Sequence, residues 1–568
     1  MKRPIRPKGS PWASALAGLA LAGATLGTQA QDVPRPGGSL EVGTIYVTLS
    51  ALSWDVADWN WKFNHDAGQV YEQLFAADLS KAKRNGGKHA FTADAWVPSD
   101  AMRGELAESW TWTDPLTLEI KLRKGVKFPA KEGVMAEREL VADDVVFSYN
   151  RVDKSPKKIP TYFDHIGSVE ATGQHTVVFR FKSFNAEWDY RFGWGYWSAI
   201  VPREVVQASA SDWRKANGSG PFMLSNFVQG NANTYVKNPV YWDKETIGGK
   251  SYQLPFVDKL TYRTIKDESS QHTALRTGKL DILEAVRWTA VDELKKSAPA
   301  LKWKRYLYAS GNYLAMRVDT KPFNDVRVRR ALNMAVNKQE IVQQFYGGNA
   351  ELFSFPMSTE FTGYHEPLSA MPPEVKELYT YNPDGARKLL AEAGFPKGFS
   401  FKVQVCACSP SHMELMPLLA SYLEQVNVRM EIQPMEYAAF LSAMTSKTNA
   451  AGYFMNNGFT NPTTSLRKNF TTGQTWNAAQ YTDPKFDAAV AAIGVERDEP
   501  KRQALIKQAT RDIVAAAPYI FMPTPYYYAA WWPWVKNYDG ELAVGAARPG
   551  PIYGRIWVDQ ELKKKMGF

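Results

Sequence analysis

The sequence predicts a mixed α/β chain made of more than one structural unit, on three observations. Its 568 residues are too many for one hydrophobic core. Segments of strand and helix periodicity are interspersed without strict alternation. No repeat at solenoid spacing and no low-complexity linker separates them, so units woven from several chain segments are expected, not beads on a string.

The chain opens with an address, not a fold element. Lys2, Arg3, Arg6 and Lys8 precede an apolar run from about Ala13 to Leu26, and small residues lead to Thr28-Gln29-Ala30. That three-part pattern is a secretory signal over residues 1–30, with an apolar run too short to span a bilayer comfortably. No Cys stands at the cleavage point and no Arg pair precedes it, so a soluble exported protein is expected.

Further along, Thr117 to Leu122 alternates polar and apolar residues, a half-buried strand. Asn324-Asp325 precedes a helix with Val328, Ala331, Leu332 and Ala335 on its apolar face, and Arg327 and Arg329 are placed on its exposed side. Asn337 and Glu340 have capping-box spacing for a second helix that stops at Gly347-Gly348. Asn382-Pro383 opens a third, closed by Gly394. Helices are also expected over Lys485–Val495 and Pro500–Ala515, and a strand over Phe399–Cys406. Cys406 and Cys408 are the two cysteines; two apart in an extended strand they would share a face, so free thiols are expected.

Composition narrows the function. Formal net charge is +10, of which the four basic residues at the start supply four; the remaining acids and bases are mixed along the chain, so nucleic acid is not an expected partner. Known catalytic signatures are missing. Seven His are scattered with no His-Glu-x-x-His, no Gly-x-Ser-x-Gly elbow exists, and Gly249-Lys250-Ser251 lacks the upstream Gly of a phosphate loop. Adjacent acids such as Asp143-Asp144 read as solvated surface. With 19 Trp and 27 Tyr the aromatic content is high; most rings pack cores, and some are expected to line a cleft.

Several ordered segments carry a resemblance. They are Gly104 to Trp110 (Gly-Glu-Leu-Ala-Glu-Ser-Trp), Leu118 to Phe128 ending Leu-Arg-Lys-Gly-Val-Lys-Phe, and Ala142 to Ser148. Gly218-Ser219-Gly220-Pro221-Phe222, Pro255 to Leu260, Ala274 to Asp281, Phe323 to Asn333 and Leu389 to Phe395 follow in order. Together they resemble the family 5 extracellular solute-binding proteins, the oligopeptide- and dipeptide-receptor family of ABC importers. Departures are the longer stretches Lys81–Ala101 and Pro129–Leu140, and Val141 where a capping Thr is usual.

The resemblance implies a type II-like periplasmic binding fold of two hinged lobes with an additional α/β domain on one of them. Lobe I would combine 39–72, 206–305 and 525–568, with the additional domain at 73–205 and lobe II at 306–524. It implies a periplasmic monomer without enzymatic activity, cofactor or metal. The receptor would capture a small solute between its lobes and deliver it to ABC permease subunits at the inner membrane. A secreted hydrolase is the rival reading of another class.

Candidate ligand contacts are Trp54, Trp61 and neighbouring Trp59, then Trp194, Tyr196, Asn312 and Tyr313, then Asn456, Asn457, Phe459 and Tyr527. Counting back from Pro462, the position where peptide receptors of the family often hold a peptide amine with an Asp falls on Gly458. A peptide-like ligand is the first expectation, an opine-like or oligosaccharide ligand the second.

Overall fold

The protein was analysed as a computed structural model that describes residues 33–568 apart from positions 47, 49, 59, 60, 94, 159–161, 309 and 459. The signal stretch at 1–30, Trp59 and Phe459 lie outside the described residues.

Among the described residues, the strands form three principal sheets. The largest runs in the order Phe222–Val228, Ala232–Lys237, Lys259–Thr264, Ser39–Thr44, Ile282–Arg287, Thr524–Trp531 and Lys302–Leu307, with Ala350–Glu351 paired onto Thr524–Trp531. Ser39–Thr44 lies at its centre, parallel to both neighbours, and Leu40 and Val42 are fully buried there. A strand parallel on both sides is covered on both faces and needs an apolar interior.

A five-stranded sheet runs Val428–Met435, Phe399–Cys406, Gly452–Gly458, Ser310–Met316 and Tyr519–Phe521. Its strands alternate between two separate cores. Tyr313, Ala315, Tyr453 and Met455 enter one; Leu314, Met316, Phe454, Val403 and Val405 enter the other. Successive side chains point to opposite faces, so a strand buried on both reads as a continuous apolar run. A four-stranded antiparallel sheet, Ala107–Asp114, Thr117–Leu122, Thr176–Phe181 and Ile166–Gly173, carries the helix Ala142–Asp153 against it.

The chain steps directly from a strand of one larger sheet to a strand of the other at two places, from Leu307 to Ser310 and back from Phe521 to Thr524. Two adjacent strand crossings make a hinge between two bodies. None of the described helices is long and apolar enough to cross a membrane.

Local expectations match in detail. Thr117–Leu122 and Phe399–Cys406 are strands with those bounds. Asp325 caps Val326–Ala335, Asn337 accepts from the Glu340 amide, and Asn382 caps Pro383–Glu392. Pro484–Val495 and Glu499–Ala515 are helices.

Three expectations need correction. Arg329 is buried, donating to the carbonyls of Phe323 and Ala516, while Arg327 stays exposed. Residues two apart on a helix lie about 200° apart around its axis, so the two could not share a face. Asp144 is not solvated: it is buried against Arg138, with bonds of 2.8 and 2.9 Å. Its carboxylate also accepts the Val141 amide at 3.0 Å, which anchors the helix start without a capping Thr. Cys406 and Cys408 are disulfide-bonded, not free, with Cα atoms 5.1 Å apart. The strand ends at Cys406 and the chain turns there, so Cys408 leaves the strand face and swings back to its partner.

Candidate functional site

A cavity of about 400 Å³ lies between the two larger sheets. The large-sheet side supplies Tyr46, Trp61 and His65, then Glu284, Tyr306 and Tyr308. The stretch before the strand Ile166–Gly173 adds Tyr162, and the segment after the four-stranded sheet adds Tyr190, Tyr196 and Trp197. The five-stranded side supplies the end of the strand Gly452–Gly458, from Met455 onward, and the helix Pro462–Phe470 through Thr464, Arg467 and Lys468. The Cys406–Cys408 bridge, Ser409 and His412 complete that side where the helix Pro410–Glu424 begins.

Rings dominate the wall and are held by one another. Trp61 meets Tyr46 edge-on at 4.8 Å, and the Tyr46 and Tyr308 hydroxyls are 3.1 Å apart. Tyr308 in turn stacks on Tyr527 at 4.5 Å. Tyr162 packs edge-on against Trp197 at 4.8 Å. Flat, stiff side chains cost little entropy when a ligand settles on them.

The two sides differ in charge. On the large-sheet side, Lys62 and Asp66 form a buried ion pair at 2.6 Å, and His65 lies between Lys62, 3.1 Å from its Nδ1, and Glu284, 3.5 Å from its Nε2. Burial and the Lys62 charge pull the His65 pKa down, but the hydrogen bonds to Asp66 and Glu284 outweigh them and leave it raised.

Where the segment after the four-stranded sheet meets the helix Pro462–Phe470, Glu187 is buried and paired with Arg191 at 2.6 Å, while Arg467 is 3.9 Å away. Burial opposes ionisation of Glu187, but the charges of Arg191 and Arg467 prevail and hold its pKa at about 2. Lys468 donates to the Gly458 carbonyl at 2.6 Å and to Asn457 Oδ1 at 3.0 Å. Among the described residues, no group of three or more His, Cys, Asp or Glu could hold a metal ion.

The predicted contacts divide clearly. Trp61, Tyr196, Asn456 and Asn457 line the cavity. Trp54 is buried edge-on against Phe227, and Trp194 is buried with its indole N–H on Asp189 at 3.1 Å. Tyr313 is sandwiched between Phe355 and Tyr519, with centroids at 5.0 and 4.2 Å. Asn312 lies behind the wall, joined to His412 at 3.3 Å, and Tyr527 lies behind Tyr308. Sequence reasoning did not single out Tyr308, Glu284, Arg467 and Lys468. One usable signal existed: Asn461-Pro462 is a helix-start pair, so the basic pair following it lies on the first helix after the Asn456–Gly458 strand end.

Comparison with known proteins adds the lineage. Residues 101–484 match the model described as bacterial extracellular solute-binding proteins, family 5 Middle. The chain is 27% identical to heme-binding protein A of Haemophilus influenzae over 464 residues, covering 76% of this chain and 81% of that one. It superposes with a TM-score of 0.74 on the periplasmic binding protein DppA of Helicobacter pylori in complex with the peptide STSA, at 23% identity over 92% of this chain and 99% of that one. It superposes with a TM-score of 0.72 on MoaA of A. tumefaciens R10 in complex with mannopinic acid, at 21% identity over 92% and 99%. These likenesses establish the two-lobed, type II-like periplasmic binding fold.

Proposed function

Because this chain belongs to the bacterial extracellular solute-binding proteins, family 5, we propose that it is the receptor of an ABC importer that captures a peptide-like small solute. The observation that carries the reading is the cavity of about 400 Å³ between two sheets joined by two strand crossings. A solute there touches both bodies only when they close on it, so binding energy drives closure, and the closed form is what a permease recognises. The volume falls at the lower end of the roughly 300–1,000 Å³ typical of small-ligand sites. A short peptide-like solute suits it better than a long chain. The basic, apolar-cored start at 1–30 supports export to the periplasm. The receptor acts as a monomer and without chemistry on its ligand.

Native mass spectrometry of protein from its own host, followed by calorimetry with di- and tripeptides, tests this reading. One peptide-sized mass per chain, recovered unchanged after incubation, is expected. Turnover of the bound solute would make the protein a hydrolase, and failure of every peptide to bind would remove the peptide reading. The second reading, an opine-like or oligosaccharide solute, is favoured by the amides and hydroxyls of Asn456, Gln474 and Thr475 beside flat rings. The same calorimetry with those compounds decides it.

A further inference from the structure

The long stretch 81–101 enters the cores of both bodies. It is fixed first to the body built on the large and four-stranded sheets. Phe91, Ala95, Val97 and Ala101 are buried in that body's core. Arg84 pairs with Glu541 at 2.6 Å, and the Phe91 carbonyl accepts the Leu542 amide at 2.8 Å. Between Ala95 and Val97, Trp96 turns to the other body. Its ring packs on a core of the five-stranded body, 5.2 Å from Phe361 and edge-on to Tyr364 at 5.7 Å.

Polar contacts extend this seam on either side of Trp96. Thr92 donates to Glu360 at 3.1 Å, and Ser99 donates to Glu499 at 2.9 Å. Further along, Arg497 donates to the Pro115 carbonyl, with its guanidinium 3.8 Å from the centre of the Phe184 ring. The Ala186 amide donates to the Gly494 carbonyl at 2.8 Å. None of the residues in these contacts lines the cavity. Rotation about the crossings at 307–310 and 521–524 parts the two bodies and breaks contacts that lie off that axis. Their free energy therefore favours the closed form whether or not a solute is bound.

We propose that 81–101 is an interlobe strap, anchored by Trp96, that holds the solute-free receptor largely closed and so sets how fast a solute enters and leaves. This rests on the receptor reading for closure and on nothing about the class of solute. A residue that touches solute changes affinity through the cavity, whereas Trp96 acts only through the open–closed equilibrium. Loosening the strap lets the empty receptor open more often and the filled one release sooner. Both rate constants then rise, and Kd changes less than koff. A tryptophan ring with two aromatic partners across the seam corresponds to a bias of about tenfold toward the closed form.

Small-angle scattering of the solute-free protein, with stopped-flow exchange of alanyl-alanine and trialanine, tests this. Solute-free wild-type protein should have the compact radius of gyration of this structure. Trp96→Ala should expand it, raise koff on the order of tenfold and raise kon as well; Trp96→Phe should keep most of the compactness. Arg497→Gln, at an exposed position, should act in the same direction with smaller amplitude, and it serves as the variant where Trp96→Ala does not fold. A solute-free wild-type protein more expanded than this structure overturns the strap. So does a radius left unchanged by Trp96→Ala, or by Arg497→Gln where the first does not fold. Faster release without faster entry points to a damaged cavity wall and overturns it too. Failure of both peptides to bind counts against the peptide reading alone, because scattering decides the strap without solute.

Discussion

Glu105 and Glu72 occupy one buried site, and the same substitution at each should have opposite consequences. Glu105 receives both ends of the Arg548 guanidinium, at 2.6 and 2.8 Å, and the Gln73 amide at 2.9 Å, with both side chains at 1% exposure or less. The pair ties positions 443 residues apart and holds Arg548 between Ala547 and Pro549, which line the cavity. Glu105→Gln leaves a buried guanidinium without its counter-charge, which costs about 3–5 kcal/mol. Against a typical total of about 5–15 kcal/mol that is a large loss.

Glu72 lies beside it and accepts the Trp242 indole N–H at 2.9 Å. Burial and the neighbouring Glu105 charge raise its pKa well above the ordinary 4.5. A carboxyl with a raised native pKa binds its proton more tightly folded than unfolded. Its contribution to stability is therefore complete below about pH 4.5 and is lost as pH rises toward the native value. An amide cannot ionise, so Glu72→Gln should match the wild type in acid and exceed it at neutral pH. Urea denaturation followed by circular dichroism measures both variants, and calorimetry with the bound solute reads the wall at 547–549, where Glu105→Gln should also weaken affinity. A cost below about 1 kcal/mol for Glu105→Gln, or an equal cost for Glu72→Gln at pH 7, would refute the reasoning.

Three further outcomes are expected. Removing the Cys406–Cys408 bridge by Cys408→Ser should cost only about 1–2 kcal/mol, because the closed loop is short, yet it should loosen the wall and raise the solute Kd; calorimetry with and without reductant measures this. Burial lowers the His412 pKa from 6.5 to about 4, so native His412 resists the proton that the unfolded chain accepts. Stability should therefore fall by about 3 kcal/mol as pH drops from 6.5 through 4, and His412→Gln should flatten that part of the curve in denaturation at stepped pH. Trp61→Ala, which removes a cavity ring without touching a buried charge, should weaken solute binding roughly tenfold; unchanged affinity would take the ring out of the contact surface.

Much of the fold was legible because its signals are local. Asn337 with Glu340 and Asn382-Pro383 state where helices begin through groups within one turn, and Thr117–Leu122 carries its own alternation. The family segments likewise describe turns and cores, and they established the architecture. The cavity was legible only in part. Trp61 and Asn456 line it, but Trp54 and Tyr313, equally plausible as residue types, face cores. An aromatic ring is at home in either place, and which it takes depends on where a strand ends and what packs on it. Tyr308 faces the cavity because it is at the crossing between sheets, and Cys408 reaches Cys406 because the strand stops at Cys406 and the next two residues turn back.

By itself the sequence determined the mixed α/β class, many helix and strand bounds and the solute-receptor lineage, all of which follow from neighbours along the chain. Only the tertiary structure decided the charge of the cavity. The Thr464–Glu187 contact spans 277 residues, and with Arg191 already taking Glu187, Arg467 becomes the cation that lacks a full partner. A charge is compensated or left in want by whatever lies within a few ångströms in space, and no periodicity along the chain encodes that distance.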